Sequence, residues 1–387
     1  MLRNMSSIRA AVNVVAVNFI TVFLLLCGVD LVFGEWIRPK MPVANVPGAI
    51  WNKRMTYDVS GLYGSGGPLV IEYSRDARGY RGLQGNENKK LILTIGGSTT
   101  DQRFITDGED WQSKVNKQIS REYSVVNGGV DGQSSYGHLF SIMNWHSKEL
   151  PALQVSLVVY YVGVNDGRLL LSGEKGLIEY DNLYASVGFL GKIRIAFSQN
   201  SFIYAKMRLA KNNLFSQAGL MHKGIVWAGH SHRNAPFNHK GKVYPITDPA
   251  GLSGFKYYTE LIQKLINETH LAFPFAKIML VQQQIPGCRF VSEKQVIDRN
   301  PYSEEFSMEI ENEMTGRNEC VTLGQIYLTQ MRAISGAEIE SQPRVLKMYL
   351  SKVIQDDAVY DTLHTTPIGS SQIADYLSPF IVEAISK

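Results

Sequence analysis

The sequence lacks the features that would place it among nucleotide-dependent enzymes or nucleic-acid-binding proteins. It has no phosphate-binding loop, no dinucleotide fingerprint and no internal repeat. It also has no long run of lysine or arginine, and its net charge of +4 comes from 39 basic and 35 acidic residues. Nucleic acid is therefore not expected as a partner, and we expect no cofactor.

Cysteine is scarce as well, with three residues in a chain of 387. Cys27 lies in an apolar stretch near the N-terminus. Cys288 and Cys320 could close a loop of about thirty residues, which would contribute roughly 3 to 4 kcal/mol if the disulfide forms in an oxidising compartment. Two unrelated buried thiols would give the same pattern, so both interpretations stay open.

One long apolar run is present, at residues 10–33. Its length is about what an α-helix needs to cross a hydrocarbon core of roughly 30 Å. The run is long for a signal peptide, and the residues after it, Phe33 to Trp36, contain no small-x-small cleavage site. We therefore predict an uncleaved single-pass anchor rather than a cleaved signal peptide or a buried helix. The polar residues of the run are Asn13, Asn18, Thr21 and Asp30.

Basic residues lie on both sides of this run, so counting positive charges does not decide its orientation. A membrane anchor together with a disulfide favours an extracytoplasmic main domain, periplasmic or at the cell surface. The predicted order is an N-terminal tail over residues 1–9, the anchor over 10–33, a linker with an irregular segment or small hairpin over 34–71, and the main domain over 72–387.

The main domain alternates predicted strands and helices, which indicates a parallel sheet with helical crossovers. A content of 44% hydrophobic residues is enough for a large core. Residues 167–251 are too long for a simple loop, and we interpret them as a helical insertion that could cover a site. The predicted strands are Leu91–Ile95, Tyr123–Val126, Val155–Val162 and Ala276–Gln282. The predicted helices are Trp111–Glu122, His138–Lys148, Leu252–Leu271, Cys320–Ile334, Pro343–Val353 and Pro367–Ser386.

Polar or glycine-rich turns follow the first three strands. Open α/β sheets bind their ligands at the carboxyl ends of the strands, which is where these turns lie. Ser98 follows Gly96 and Gly97 and could act as a nucleophile, although a helix cap would use the same residues. Gly132 could present its backbone N–H to an oxyanion, or serve as a turn residue with positive φ. Asn165 could add a side-chain amide, or begin an Asx turn.

Asp361 and His364 lie just before the last predicted helix. With two residues between them, the carboxylate can reach Nδ1 of the imidazole and leave Nε2 to accept a proton from Ser98. This spacing is common by itself. The order of the four segments along the chain is what makes the pair informative.

The four segments resemble the sequence blocks of the SGNH hydrolase superfamily, the GDSL-type esterases, over about residues 72 to 384. The resemblance implies a three-layer α/β/α flavodoxin-like sandwich with a parallel sheet of about five strands. It also implies a nucleophile at Ser98, an oxyanion hole formed by the Ser98 amide with Gly132 and Asn165, and a base at His364 oriented by Asp361. Residues 74–82 resemble the lead-in of membrane-anchored bacterial members. Gly97 departs from the family pattern, which has Asp there.

These features predict a membrane-anchored serine esterase that acts on acyl esters, with O-acetyl groups of cell-envelope glycans as the expected substrate. An O-acyltransferase would use the same acyl-enzyme, with a sugar hydroxyl in place of water. A non-catalytic glycan-binding or assembly protein is the third hypothesis. Four histidines show no metal-ligand spacing and are interpreted as solvated loop residues: His222, His230, His232 and His239.

Overall fold

The computed structural model describes two compact units of the chain. The anchor unit comprises Met1–Met41 and Val187–Gln217, and the sheet unit comprises Pro42–Ser186 and Ala218–Lys387. The described residues are 2–34, 36, 46, 48–59, 62–63, 70–81, 88–119, 121–171, 197, 201–204, 206–207, 242–245, 253–283, 288–290, 307–310, 317–335, 345–348, 358–360 and 363–386.

The anchor unit is built on helix α1 (Leu2–Phe33). Within it, Asn13–Phe33 has a mean hydropathy of 2.4 and only 6% of that window is buried. Because the helix begins at Leu2, it also includes most of the predicted tail. Among the described residues, this is the one helix long and apolar enough to span a bilayer.

The sheet unit begins with an antiparallel hairpin, β1 (Lys53–Asp58) and β2 (Val70–Arg75). The hairpin supplies a small core of its own, formed by the buried side chains Val59, Leu62, Ile71, Tyr73 and Tyr360. The small hairpin that the sequence allowed in this region is therefore present.

The main sheet is parallel and has five strands, as predicted. In chain order the strands of this unit continue with β3 (Lys90–Gly96), β4 (Tyr123–Asn127), β5 (Val155–Val162), β6 (Lys242–Pro245), β7 (Lys277–Gln282), β8 (Cys288–Phe290), β9 (Ser307–Ile310) and β10 (Val345–Met348). The parallel sheet has the order β10-β7-β5-β3-β4. Numbered by appearance in the chain, this is 2-1-3-4-5, the flavodoxin-like order.

Side chains alternate between two hydrophobic cores, one on each face of the sheet. On β5, Val158 and Tyr160 face one core, and Val159 and Tyr161 face the other. A strand that is buried on both faces has no polar face, so it appears in the sequence as a continuous apolar run.

Helices cover both faces and complete the predicted three layers. They are α2 (Ser98–Asp101), α3 (Trp111–Gln118), α4 (Ser135–Ser141), α5 (Ser147–Glu149), α6 (Val164–Leu171), α7 (Ser253–Ala272), α8 (Arg317–Ser335) and α9 (Pro367–Ser386). A single turn of π-helix (Ile142–His146) joins α4 to α5. Trp111 of α3 and Leu377 of α9 lie in one core, and Ile262 of α7 and Ile326 of α8 lie in the other.

The prediction of a helix over Pro343–Val353 is wrong, because Val345–Met348 forms the edge strand β10 and pairs in parallel with β7. A short apolar run fits a period of 2 and a period of 3.6 equally well, so the pattern alone does not distinguish strand from helix.

The helical insertion predicted over 167–251 is only partly correct. Lys242–Pro245 is strand β6, which joins β9 and β8 in a small antiparallel sheet with the order β6-β9-β8. The other described residues of the insertion are the end of α6, residue 197, and residues 201–204 and 206–207, which contain short helical turns. The rest of the insertion lies outside the described residues.

Candidate active site

The three predicted turns meet at the carboxyl edge of the parallel sheet. Ser98 follows β3 and Asn165 follows β5, and these two strands are neighbours. The loop with Gly132 follows β4, on the other side of β3. The strand order reverses between β3 and β5, and open α/β sheets bind their ligands in the crevice at such a switch point.

The side chains of Ser98 and His364 are in hydrogen-bond contact, with 2.7 Å between Ser98 Oγ and His364 Nε2. The residues are 266 positions apart in the sequence, and both are half-buried. In the tautomer that carries its proton on Nδ1, His364 Nε2 accepts a hydrogen bond from the Ser98 hydroxyl. This is the contact that a serine nucleophile and its general base require.

A tight turn holds His364 in this position. Val359 and Thr365 form an isolated antiparallel bridge, and Tyr360 N donates to His364 O at 2.9 Å. The Tyr360 ring stacks on the imidazole with 5.6 Å between ring centroids and 11° between the ring planes. Asp361 belongs to the same turn by sequence, but it lies outside the described residues.

The Asn165 amide lies against the nucleophile turn. Its Nδ2 donates to Gln133 O at 2.9 Å, and an amide nitrogen carries a second N–H. A Cβ built on Gly97 would lie 2.4 Å from Asn165 Nδ2 and 3.2 Å from Gln133 O. This close approach gives a physical reason for Gly97 in place of the aspartate of the resembled motif, because in this geometry a side chain at position 97 would collide with the amide.

Gly132 occupies an exposed turn with φ +73°, a region that favours glycine. A Cβ at this position would meet nothing within 4 Å. The loop before it is fixed to the nucleophile turn, since Val130 N donates to Gly96 O at 2.9 Å and Gln133 N donates to Val130 O at 3.1 Å. The conformation fits the turn residue that we weighed for this position.

Asp166 is a buried carboxylate next to Asn165, and its role was not predicted. It accepts hydrogen bonds from Ser135 N at 2.8 Å, Ser135 Oγ at 2.7 Å and Tyr258 Oη at 3.0 Å. Burial raises the pKa of Asp166 to about 6, although these hydrogen bonds oppose the shift. The carboxylate therefore joins the end of β5 to the start of α4 and to α7. The signal in the sequence was a second polar residue directly after a buried strand.

Two glutamines, also missed, connect the separate turns. Gln283 follows β7 and accepts from Val164 N at 2.6 Å while donating to Thr99 Oγ1 at 2.6 Å. Gln102 ends α2 in a left-handed conformation and donates to Thr365 Oγ1 at 2.6 Å, beside His364. Each amide thus ties the segment of Ser98 to another segment of the site.

A buried ion pair lies beneath the nucleophile turn. Arg75 of the hairpin pairs with Asp101 of α2, and both side chains are at most 2% exposed. The same guanidinium donates to Asn127 O at 3.1 Å and to Gly129 O at 2.7 Å. Burial by itself raises the pKa of Asp101, but the charges of Arg75 and Arg103 outweigh it and hold the pKa below its usual value. Arg75 therefore joins α2 to the loop after β4.

Two predicted cysteines and four predicted loop histidines lie outside the described part of the structure. The side chains of Cys288 and Cys320 lie beyond the described part, so the disulfide stays a prediction. His222, His230, His232 and His239 also lie outside it. Among the residues that the structure describes, no group of three or more histidine, cysteine, aspartate or glutamate side chains could hold a metal ion.

No family model matches the sequence, and no curated protein matches it. Several solved structures are similar. A GDSL-like lipase from Bacteroides ovatus has 7% identity and a TM-score of 0.40 over 77% of this chain and 54% of its own length. Est24, a carbohydrate acetylesterase from Sinorhizobium meliloti, has 10% identity and a TM-score of 0.37 over 76% of this chain and 99% of its own.

The M. smegmatis aryl esterase has 10% identity and a TM-score of 0.36 over 76% of this chain and 99% of its own length. This chain therefore spans about half the length of the first of these proteins and nearly the whole of the other two. At such identities and TM-scores, the similarities do not identify the reaction, which has to be argued from the side chains of the site.

Proposed function

We propose that the protein is a serine esterase that forms an acyl-enzyme on Ser98. The observation that supports this most directly is the 2.7 Å contact between Ser98 Oγ and His364 Nε2 at the carboxyl edge of the sheet. A structural serine has no need of an imidazole within hydrogen-bond reach, whereas a nucleophile needs a base to take its proton. Asn165, beside the same turn, supplies an amide donor.

In the proposed reaction, Ser98 Oγ attacks the ester carbonyl carbon while His364 Nε2 takes the hydroxyl proton. The negative charge moves to the carbonyl oxygen, and the Ser98 amide, the Gly132 amide and Asn165 Nδ2 stabilise it. Collapse of this intermediate breaks the bond to the alcohol, which leaves with the proton from His364. Water then attacks the acyl-enzyme by the reverse sequence, and Asp361 is the proposed partner of His364 Nδ1.

We place the enzyme at a membrane, with α1 as its anchor and the sheet unit on the extracytoplasmic side. Only 6% of the Asn13–Phe33 window is buried, and its large apolar side chains are 40% to 73% exposed, as lipid-facing side chains would be. An enzyme held there meets acylated envelope glycans, and their O-acetyl esters are the proposed substrate class. An alkaline phosphatase fusion after Lys387 tests this topology, because an inactive fusion would reverse it.

The test of the chemistry uses the full chain in detergent. We expect a fluorophosphonate probe to label the peptide that contains Ser98, and Ser98→Ala to abolish both the labelling and the turnover of p-nitrophenyl acetate. Ser147→Ala is a matched control, since it removes another serine hydroxyl, which donates to Met143 O within its own helical segment. Turnover that persists in Ser98→Ala would refute the proposal.

A further inference from the structure

A carboxylate near the end of the anchor helix has three polar partners from two other segments. Asp30 accepts from Trp36 Nε1, Ser201 Oγ and Ile203 N, each at 2.9 Å. Only 9% of Asp30 remains exposed, although the apolar residues around it on α1 are largely exposed. Since a carboxylate at the edge of hydrocarbon is costly unless it is paired, these donors explain how an acidic residue is accommodated in an apolar helix.

Aromatic contacts extend this junction along α1. Phe202 packs against Phe33 with 5.6 Å between ring centroids, and Phe197 meets the edge of Trp36 at 5.0 Å. Ser201 Oγ also accepts from Tyr204 N, so the same hydroxyl caps the turn that follows it. A segment about 170 positions further along the chain is thus built onto the last turn of α1.

The depth of this junction follows from the length of the span. At 1.5 Å per residue, the 21 residues of Asn13–Phe33 cover about 32 Å, close to a hydrocarbon core of roughly 30 Å. Phe33 therefore lies near one boundary of the core, and Asp30 lies about one turn inside it. The segment that binds Asp30 and packs on Phe33 is therefore held at the boundary between the hydrocarbon core and the lipid headgroups.

The outward side chains of this segment have the chemistry of that level. Phe197 is 48% exposed, Met207 is 66% exposed and Tyr204 is 37% exposed, and Lys206 Nζ lies 5.4 Å from the Phe202 ring centroid. Tyrosine and lysine are enriched at membrane interfaces because one part of each is apolar and another part is polar, while Phe197 and Met207 add exposed apolar surface that the acyl boundary would cover. The sequence from 192 to 211 contains five basic residues and no acidic one, which favours anionic headgroups.

We propose that the segment with the described residues 197, 201–204 and 206–207 forms a second membrane contact, which docks on α1 through Asp30 and inserts Phe197 and Met207 into the headgroup boundary of the bilayer. This inference rests on the membrane anchor of the proposed function and is independent of the esterase chemistry. It assigns the described residues 197, 201–204 and 206–207 of the predicted insertion to the lipid surface. It also makes α1 a structural part of the mature protein, because removal of α1 would take the carboxylate away from Ser201 and Ile203.

The experiment uses the full chain in nanodiscs of phosphatidylcholine and phosphatidylglycerol, with the photoreactive p-benzoylphenylalanine in place of Phe197. After irradiation, we expect phospholipid adducts at position 197 at least fivefold above those at Phe275, an exposed phenylalanine of the sheet unit. Asp30→Ala should lower the adducts at position 197 severalfold. Thr21→Ala should leave them unchanged, because that hydroxyl donates to Val17 O within the same helix.

Two further outcomes would overturn the proposal at different steps. If alkaline carbonate releases the chain from native membranes, the anchor itself is refuted. If the chain is retained, but position 197 gives no more lipid adduct than position 275 or is unaffected by Asp30→Ala, the docking is refuted and the anchor is not. Turnover of p-nitrophenyl acetate in the same samples reports separately on the esterase.

Discussion

A methyl group on Gly97 should disable the proposed oxyanion hole without removing the hydroxyl of Ser98 or the imidazole of His364. The Cβ of Gly97→Ala would lie 2.4 Å from Asn165 Nδ2, whereas ordinary contacts begin at 3.4 Å. The amide must therefore retreat by about 1 Å, and a misplacement of that size can cost on the order of 100-fold in rate. We expect kcat to fall about 100-fold, with KM changed little, because the lost interaction forms only in the transition state.

A double-mutant cycle separates this effect from general damage. Asn165→Ala removes the donor outright and should lower kcat by roughly 100-fold to 1,000-fold. If Gly97→Ala acts by displacing that donor, adding it to Asn165→Ala should cost little more, because the side chain it collides with is already gone. The assay is hydrolysis of p-nitrophenyl acetate by the four proteins, with thermal unfolding as the check on folding.

Two results would refute this reasoning. If Gly97→Ala retains wild-type kcat, the Asn165 amide does not contribute from its present position. If the two substitutions multiply instead of overlapping, the methyl group acts through some other contact, such as Gln133 O at 3.2 Å. Gly97→Asp, which restores the residue of the resembled motif, should be at least as inactive as Gly97→Ala.

Two other substitutions test the supports of the site. Tyr360→Leu removes the ring that stacks on His364. We expect kcat to fall roughly threefold to tenfold at unchanged KM, which corresponds to the interaction energy of one aromatic pair. Tyr360→Phe keeps the ring and should retain the wild-type kcat. Equal losses of kcat in both variants would contradict a role for stacking. The second substitution is Asp166→Asn. Burial raises the folded-state pKa of Asp166 from 3.8 to about 6, so its contribution to stability is full below pH 3.8 and is lost as the pH rises through 6. Urea unfolding between pH 4 and pH 6 should show wild type losing about 2 kcal/mol relative to Asp166→Asn, and a difference that is constant with pH would contradict this.

Most of the parallel sheet could be predicted from the sequence, and the exceptions have a common cause. The strands β3, β4, β5 and β7 are β-branched runs bounded by turns, and they were predicted within a few residues. The strand β10 and the small antiparallel sheet have only three or four residues per strand. Segments of that length carry too little periodicity to distinguish strand from helix, so their pairing decides their structure.

The residues of the candidate site also divide into those that could be predicted from the sequence and those that could not. Ser98 and His364 were predicted from the order of the four segments along the chain and from their resemblance to the SGNH sequence blocks, and the structure brings the two side chains into contact. Asp166, Gln283 and Gln102 belong to no motif, and their roles depend on which backbone groups happen to lie within 3 Å of them. Such contacts follow from tertiary packing, so the polar position of Asp166 soon after a buried strand was a signal that did not identify its partners.

The hairpin between the anchor and the sheet has a larger role than the predicted linker suggested. Its core contains Tyr360, the residue that stacks on His364, and its Arg75 binds Asp101 at the end of the nucleophile helix. One small module therefore contacts both the ring that stacks on the proposed base, His364, and the helix that begins with the proposed nucleophile, Ser98. Removal of either residue would leave the charge of the other buried and unpaired. Breaking such a pair typically costs about 3 to 5 kcal/mol of folding stability. The geometry of the site thus depends on residues that precede the first strand of the parallel sheet, and a fragment starting at Lys90 would contain the nucleophile and the base without these supports.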